Sequence, residues 1–353
     1  MGRSPVMVVR SCAAGKAHHG GWRRSRQIDE LLASAGLAAE VCTLHPDRGF
    51  DPRGLKDIVA VGPRAWNWSN LVAATARSHG LRSALRQRRA ALVEMPHNAV
   101  IERVTADRCE VRIAVPHNVE SFNEHRVRSW RARDPVARVA VEVQMLRRYD
   151  AVFTIAIEEY WLMANAGLDA HFLPYTPPRE TMTWLESLRV ARAASAPRGG
   201  NDVVVLGTAQ VRHAEATVRL VQVLHAAGIR PVVVGYNTTA LSSRLGCRAD
   251  VRGTVSEQAL FSLLARCRAV AIHQTGGGGA LTRIVELGHA GVPVVAAGVA
   301  GRSMHGWRHL TWVHDVGDIP AVLPEPGTTV TAVDPWQAMR QAAERRMVAW
   351  LGG

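Results

Sequence analysis

The stretch "HQTGGGGALTRIVELGHAGVPVVAAG", residues 273–298, decides the fold class. The apolar run at 268–272 predicts a buried strand, 280–290 predict an amphipathic helix, and 292–297 predict a second strand. Parallel strands need a crossover connection of this kind, usually a helix. The stretch therefore predicts a parallel α/β sheet.

Four consecutive glycines, Gly276, Gly277, Gly278 and Gly279, occupy the turn between the first strand and the helix. Glycines let backbone N–H groups approach a ligand closely, and a helix N-terminus carries a partial positive charge, so this turn favours phosphate binding. A Walker loop is excluded because no lysine follows the glycines. The dinucleotide fingerprint belongs to a first strand–helix turn, far earlier in a chain. The alternative is a tight turn without a ligand.

Composition narrows the function classes. The chain has 353 residues, enough for two domains, and its 47% hydrophobic content suits a globular α/β protein. It contains no apolar run of membrane-spanning length and no signal-peptide pattern, so we expect a cytoplasmic protein. Five scattered cysteines without a CxxC pair exclude a disulfide framework and a zinc site. The net charge of +13 favours anionic partners such as nucleotides, acidic lipids or nucleic acid.

Strand and helix patterns alternate twice along the chain. In the first half, strands are predicted at 6–9, 39–44, 57–61, 91–95, 111–115, 151–155 and 170–174, and helices near 22–35, 67–90, 135–149 and 158–166. In the second half, further strands are predicted at 203–207 and 231–235, and further helices near 214–227 and 256–265. Residues 194–202 have the composition of a hinge linker. We therefore predict an N-terminal domain 1–193, a C-terminal domain 201–334, and a C-terminal helix 335–353 that packs back on the first domain.

Several segments resemble glycosyltransferase family 4, whose members have the GT-B fold. In the second half these are "TRIVELGHAGVPVVA" (282–296), 203–221 and 251–272; in the first half they are "AVPHNVES" (114–121) and 142–168. The resemblance implies two Rossmann-like, doubly wound parallel-sheet domains facing a cleft, with the first on the acceptor side and the second binding a nucleotide sugar. It implies no cofactor and no metal. The sequence has no Asp-x-Asp, the motif of metal-bridged donors in the other common transferase fold.

The resemblance also assigns the donor site. It implies that the diphosphate binds at the helix N-terminus that Gly276–Gly279 open, and that Glu286 accepts hydrogen bonds from two ribose hydroxyls, with Thr282 on the same helix face. Glu286 lies about 10 Å along the helix axis from the glycines, close to a diphosphate-to-ribose distance. The alternative for Glu286 is an exposed residue paired with Arg283. The family usually carries a first glutamate where this chain has Gly278. This difference concerns whether the product keeps the anomeric configuration of the donor sugar.

Candidate catalytic residues come from both halves. His117 directly follows a predicted strand, at the sheet edge where ligands of α/β domains gather, and the resemblance implies contact with the donor sugar. A second Pro-His-Asn segment occurs at 96–98, and for either segment a structural turn is the alternative. The resemblance implies that Arg212 neutralises the departing diphosphate; the alternative is a solvated arginine.

A first-domain loop that resembles the GT-B loop meeting acceptor and donor contributes Lys16, His18, His19 and Gly20.

The function implied is transfer of a sugar from a nucleoside-diphosphate sugar to a glycan, lipid-linked or natural-product acceptor, with retention of configuration and without metal. Two alternatives stay open: a nucleotide-sugar epimerase on the same fold, and a non-catalytic nucleotide-sugar-binding relative. Nucleic-acid binding is disfavoured because the chain has no helix-turn-helix, zinc-finger or RNA-binding signature. The basic segments 81–93 and 125–138 predict peripheral contact with an anionic membrane at its inner face; solvated helix faces are the alternative.

Overall fold

A computed structural model describes the backbone of residues 5–11, 20–44, 81–86, 88–94, 96–97, 99–119, 121, 135–195, 201–207, 211–304, 306–330 and 333–353. The chain forms two compact units. The first comprises Met1–Tyr175 and Trp336–Gly353, and the second comprises Thr176–Pro335.

The described strands of the first unit form one parallel sheet in the order β2-β1-β3-β4-β5-β6. These strands are β1 (Val6–Ser11), β2 (Ala39–Leu44), β3 (Ala90–Val93), β4 (Val111–Ala114), β5 (Ala151–Thr154) and β6 (Ala170–Phe172). Besides residues 81–84, the described helices before the second unit are α1 (Gly20–Ser34), α2 (Ala99–Ala106), α3 (Pro135–Leu146) and α4 (Ile157–Asn165). Both sheet faces are covered: Val8 packs into one core and Val9 into the other.

One predicted helix of the first unit is wrong over its last turns. The helix expected at 67–90 lies outside the described residues up to 80, and its described part ends at Ala84. Leu81 and Leu85 are buried in the core, and the chain then enters β3, whose residues are all buried. The strand expected at 57–61 lies outside the described residues.

The described strands of the second unit form a parallel sheet in the order β12-β11-β10-β7-β8-β9. These strands are β7 (Val203–Leu206), β8 (Val232–Val234), β9 (Asp250–Gly253), β10 (Ala269–Gln274), β11 (Val294–Gly298) and β12 (Leu310–Val313). The helices are α5 (Arg179–Ser195), α6 (Val211–Ala226), α7 (Ser242–Leu245), α8 (Glu257–Arg266) and α9 (Thr282–His289). With two parallel sheets and interleaved helices, the predicted α/β class is confirmed.

Helix α5 belongs to the second unit, whereas the sequence-based boundary placed residues up to 193 in the first. It packs against α8 and α9. The buried guanidinium of Arg192 donates to the carbonyl oxygens of Leu264, Cys267, Gly291 and Thr328 at 2.8–2.9 Å. Because these four carbonyls all lie in the second unit, they tie α5 to that unit.

The last helix, α10 (Gln337–Gly352), is grouped with the first unit. Its residues Ala343, Met347 and Leu351 are buried in the core cluster that contains Val8 of β1. Among the described residues, no helix combines the length and the apolar character that crossing a membrane requires.

Candidate functional site

The glycine loop between β10 and α9 has a backbone that only glycine adopts readily. Gly277 has a φ of 127° and Gly279 a φ of 72°. A Cβ atom added to Gly276 or Gly277 would meet no atom within 4 Å, so the space beside the loop is open. Nη1 of Arg302 donates to the carbonyl oxygen of Gly277 at 2.8 Å. The loop is thus open on one side and braced by a cation that the sequence analysis missed.

Helix α9 begins at Thr282, two residues later than predicted, because Leu281 is extended with φ −79° and ψ 98°. The side chain of Leu281 makes no capping hydrogen bond. Glu286 lies about 6 Å along the axis from the helix start, at about 1.5 Å per residue. Glu286 is 7% exposed and Thr282 8%, so the alternative of an exposed surface glutamate does not fit.

A buried histidine fixes the position of α9. His309 lies with Nε2 2.8 Å from the carbonyl oxygen of Ile284, and a Cβ atom on Gly288 would lie 2.3 Å from its ring. Burial lowers the pKa of His309 to about 4, so the ring is neutral at neutral pH, and the nearby carbonyl requires the proton on Nε2. Trp307 packs edge-on against this ring. The helix that carries Glu286 is therefore held rigidly.

Glycines also end the strands on the other side of β10. A Cβ atom on Gly235, after β8, would lie 1.9 Å from the carbonyl oxygen of Gly207, after β7. The N–H of Gly235 donates to the carbonyl oxygen of Gly253, the last residue of β9. Three neighbouring strands thus end in backbone without side chains, which allows a ligand to approach this edge closely.

In the first unit, a buried glutamate directly follows β3 and contacts three polar side chains. Glu94 accepts a hydrogen bond from Oγ of Ser25 at 2.5 Å, and Nη2 of Arg10 lies 2.9 Å from its other oxygen. Nε2 of His117, after β4, lies 3.4 Å from Oε2 of Glu94. Burial alone would raise the pKa of Glu94, but the nearby imidazole of His117 and the charge of Arg10 lower it below its usual range. Glu94 is therefore a fixed negative charge beside His117.

A fully buried arginine lies near this glutamate. Arg24 donates through Nη1 to Oε1 of Gln27 at 2.7 Å, and Gln27 in turn donates to the carbonyl oxygen of Pro174. Burial lowers the pKa of Arg24 to about 10, against the opposing charges of Glu94 and Glu159. The carboxylates therefore face a buried positive charge, which offsets part of the cost of burying them.

Two further buried acids hold the turn that carries His117. The N–H of Val119 donates to Oε1 of Glu159, on α4, at 2.9 Å. The N–H of Ser121 donates to Oε2 of Glu142, on α3, at 2.7 Å. Such bonds satisfy backbone donors that the turn itself leaves unpaired. His117 thus lies on a turn that buried carboxylates hold from two helices.

The structure places the remaining predicted site residues as follows. Lys16, His18 and His19 lie outside the described residues, and Gly20 is the first residue of α1. Arg212 lies in the first turn of α6, and its side chain is outside the described part. Gly276 to Gly279, Thr282 and Glu286 come together in the second unit, and His117 lies in the first. Among the described residues, no three His, Cys, Asp or Glu side chains converge as metal ligands would.

Sequence reasoning missed the buried acids. Glu94 carried one signal, since it is the charged residue of the otherwise apolar strand predicted at 91–95. Glu142 carried another, because it occurs on the same helix face as the buried Val143 and Leu146. A charged residue inside an apolar stripe marks a buried polar contact, although its partner cannot be identified from spacing.

Solved structures with this fold include several sugar-transferring enzymes. A sucrose-phosphate synthase from Thermosynechococcus elongatus matches with a TM-score of 0.65 at 15% identity, over 99% of this chain and 100% of that one. HepE of Anabaena, described in complex with UDP and glucose, matches with a TM-score of 0.53 at 16% identity, over 99% and 92%. A UDP-forming trehalose-phosphate synthase from Burkholderia vietnamiensis matches with a TM-score of 0.54 at 13% identity, over 99% and 94%.

No protein-family model matches this chain, and no curated protein matches it in sequence. The structural likenesses show the fold: two parallel α/β sheets in succession, as in GT-B proteins.

Proposed function

We propose that this chain is a glycosyltransferase that moves a sugar from a nucleoside-diphosphate sugar to an acceptor. One observation carries the proposal: the open glycine loop leads into a rigid helix on which Glu286 is buried one turn from the N-terminus. HepE of Anabaena, which has a similar fold, is described in complex with UDP, with UDP-glucose, and with UDP and glucose, which supports a nucleotide-sugar donor.

The second unit would bind the donor. Backbone N–H groups of Gly276–Gly279 and of the α9 N-terminus would hold the diphosphate, and Arg302 adds a positive charge at the same loop. Glu286 and Thr282 would bind the ribose side. Arg212 would stabilise the diphosphate as it departs, since fixed cations lower the energy of developing negative charge.

The first unit would supply the groups that meet the transferred sugar and the acceptor. His117 would contact the sugar, and the loop with Lys16, His18, His19 and Gly20 would contact the acceptor or the donor. No Asp-x-Asp occurs in the chain, which supports a metal-independent reaction. We propose retention of anomeric configuration. The chain has Gly278 where the family that it resembles has its first glutamate. The anomeric configuration of the product therefore tests the proposed retention directly.

Glu286 provides the sharpest test of donor binding. Glu286→Ala should weaken nucleoside-diphosphate affinity by about 10- to 150-fold, because hydrogen bonds to a charged group contribute about 1.5–3 kcal/mol. Calorimetric titration with uridine, guanosine and adenosine diphosphates measures the change. Glu257→Ala, an exposed glutamate at the start of α8, is the matched control and should bind like wild type. Wild-type affinity in Glu286→Ala would remove Glu286 from the site.

Incubation with radiolabelled nucleotide sugars separates the activities. Release of nucleotide with transfer of label to an added acceptor supports the glycosyltransferase. Conversion of the donor into an epimer without acceptor would identify an epimerase. A donor that binds and stays unchanged with every acceptor would identify a non-catalytic relative.

We further propose peripheral contact with anionic lipid through the arginines of the segments 81–93 and 125–138, the second of which lies outside the described residues up to 134. The buried Leu81, Leu85 and β3 residues of the first segment belong to the core, so charge alone would carry such contact. This would suit a lipid-linked acceptor.

A further inference from the structure

The two Pro-His-Asn segments of the first unit make the same kind of contact, because the histidine of each lies against a buried carboxylate. Segment 96–98 follows β3, and segment 116–118 follows β4, its neighbour in the sheet. Nδ1 of His97 lies 3.1 Å from Oε1 of Glu142, as Nε2 of His117 lies 3.4 Å from Oε2 of Glu94. Each histidine therefore has one ring nitrogen against a carboxylate of another element.

In both pairs the glutamate is buried and the histidine is partly exposed. The side chains of Glu142 and Glu94 are 0% and 1% exposed, whereas those of His97 and His117 are 17% and 32% exposed. The ring nitrogen that faces the carboxylate is itself buried in both histidines, and it lies at ion-pair distance from the carboxylate, without the alignment of a hydrogen bond. The exposed area of each ring therefore belongs to its outer edge.

The surrounding contacts rigidify both segments together. Oη of the buried Tyr149 donates to the carbonyl oxygen of Pro96 at 3.4 Å. Glu142 faces His97 with one oxygen and accepts the N–H of Ser121 with the other, so one carboxylate joins the first segment to the turn that continues from the second. Because adjacent strands lie about 4.8 Å apart, the two segments start side by side.

We propose that His97 binds a hydroxyl group of a neutral, polyhydroxylated acceptor, a sugar or a polyol, beside His117, which contacts a hydroxyl group of the transferred sugar. This names the acceptor class and so rests on the proposed function. A carboxylate fixes the ring proton on the nitrogen that faces it, and the other nitrogen keeps its lone pair. In His97 the bare nitrogen is Nε2, and in His117 it is Nδ1. Each bare nitrogen accepts a hydrogen bond from an O–H group, which an anion without a proton cannot donate.

The two ring nitrogens of His97 have different roles, so the variants are chosen to remove one nitrogen at a time. His97→Asn puts an amide where Nδ1 lies, so it keeps a donor for Glu142 and removes the outer nitrogen. His97→Gln puts its amide where Nε2 lies, so it keeps an outer polar group and removes the donor for Glu142. The first variant should keep the unit folded and lose acceptor contact, and the second is the matched control for loss of the internal bond.

Long-range proton–nitrogen spectra of the full chain, labelled at histidine, test the proposal without any turnover. We expect the proton of His97 on Nδ1 and that of His117 on Nε2. Titration with glucose, myo-inositol and glycerol should shift the signals of both rings, and inorganic sulfate, which has no O–H group at neutral pH, should not. The opposite tautomer in His97, rings that no polyol shifts, or rings shifted by sulfate alone would each overturn the proposal.

With an acceptor that the wild type uses, His97→Asn should raise the acceptor KM about tenfold, the loss expected for one hydrogen bond, with calorimetric UDP affinity unchanged. An unchanged acceptor KM would overturn the role of His97. Absence of nucleoside-diphosphate binding by the wild type would instead remove the proposed function, and the polyol spectra would still decide the histidine site.

Discussion

Replacing Glu94 by glutamine tests how the first unit holds His117. Glu94→Gln keeps the size of the side chain and an oxygen that accepts from Ser25. It removes the negative charge that lies against Arg10 and His117. The change therefore isolates the charge of the buried carboxylate from its packing.

The structure sets the magnitude. Removing one partner of a buried ion pair costs about 3–5 kcal/mol. Arg10 keeps a second carboxylate, because it also donates to both oxygens of Asp29 at 2.8 and 3.2 Å, so we expect the lower end, about 3 kcal/mol. Glu40→Gln is the matched control in the same unit. Its pair with Arg88 has a carboxylate that is 54% exposed, and such pairs contribute about 0–1 kcal/mol.

The effect depends on pH in a defined direction. The net pKa of Glu94 in the folded chain is lowered, so its stabilisation is present above the unfolded value of about 4.3 and is lost as the pH falls through the folded pKa. The difference between wild type and Glu94→Gln should therefore be full at neutral pH and shrink below about pH 4.

Urea unfolding at neutral pH measures the difference, and hydrogen exchange of the β3 and β4 amides assigns it to the first unit. Stability equal to that of Glu40→Gln would refute the reasoning, since a charge buried between Arg10 and His117 cannot be neutralised without cost. A loss that stays constant down to about pH 3 would instead assign the effect to packing.

Two further predictions concern pH and lipid. The pKa of His309 is lowered to about 4, while an unfolded histidine titrates near pH 6.5, so stability should fall by about 3 kcal/mol as the pH drops across this window. His309→Gln keeps a donor for Ile284 and should show no such loss in urea unfolding at both limits; an equal loss in both proteins contradicts the assignment. Sedimentation with liposomes at physiological salt should show binding to anionic and not to neutral vesicles, at about 1 kcal/mol for each arginine near the surface. Equal, negligible binding to both would remove the membrane proposal.

The glycine-loop region was predictable because its signals are contiguous. Within 273–298 a strand, a turn, a helix and a second strand follow each other, so periodicity alone orders them. The edge strands β9 and β12 were not predicted. Most of their residues are partly buried or exposed, and they lack the continuous apolar run of a central parallel strand.

The helix predicted across 85–90 failed for a related reason. Its three arginines, with Gln87 and Ala90, favour helix, yet Leu85 and the β3 residues must reach the core. In this segment, the burial of side chains in the core outweighed the helix propensity of the local sequence.

The buried acids of the first unit could not be paired from sequence, because each partner comes from a distant element. Val119 and Glu159 are 40 residues apart, and Ser121 and Glu142 are 21 apart. No periodicity connects such positions, and Glu159 in isolation resembles any solvated glutamate on a helix. The pairing follows only once the sheet order puts α3 and α4 beside the turn after β4.

That sheet order also explains why carboxylates occupy these positions. The chain leaves β4 in a turn whose N–H groups point into the unit, where an apolar side chain would leave them without an acceptor at a cost of about 1–3 kcal/mol each. Glu142 and Glu159 supply the acceptors, and the other oxygen of Glu142 lies 3.1 Å from Nδ1 of His97. Because the backbone N–H groups of the turn need acceptors, the carboxylate of Glu142 lies next to the partly exposed imidazole of His97. In this unit the groups that make the fold stable are therefore the same groups that orient the ring nitrogens.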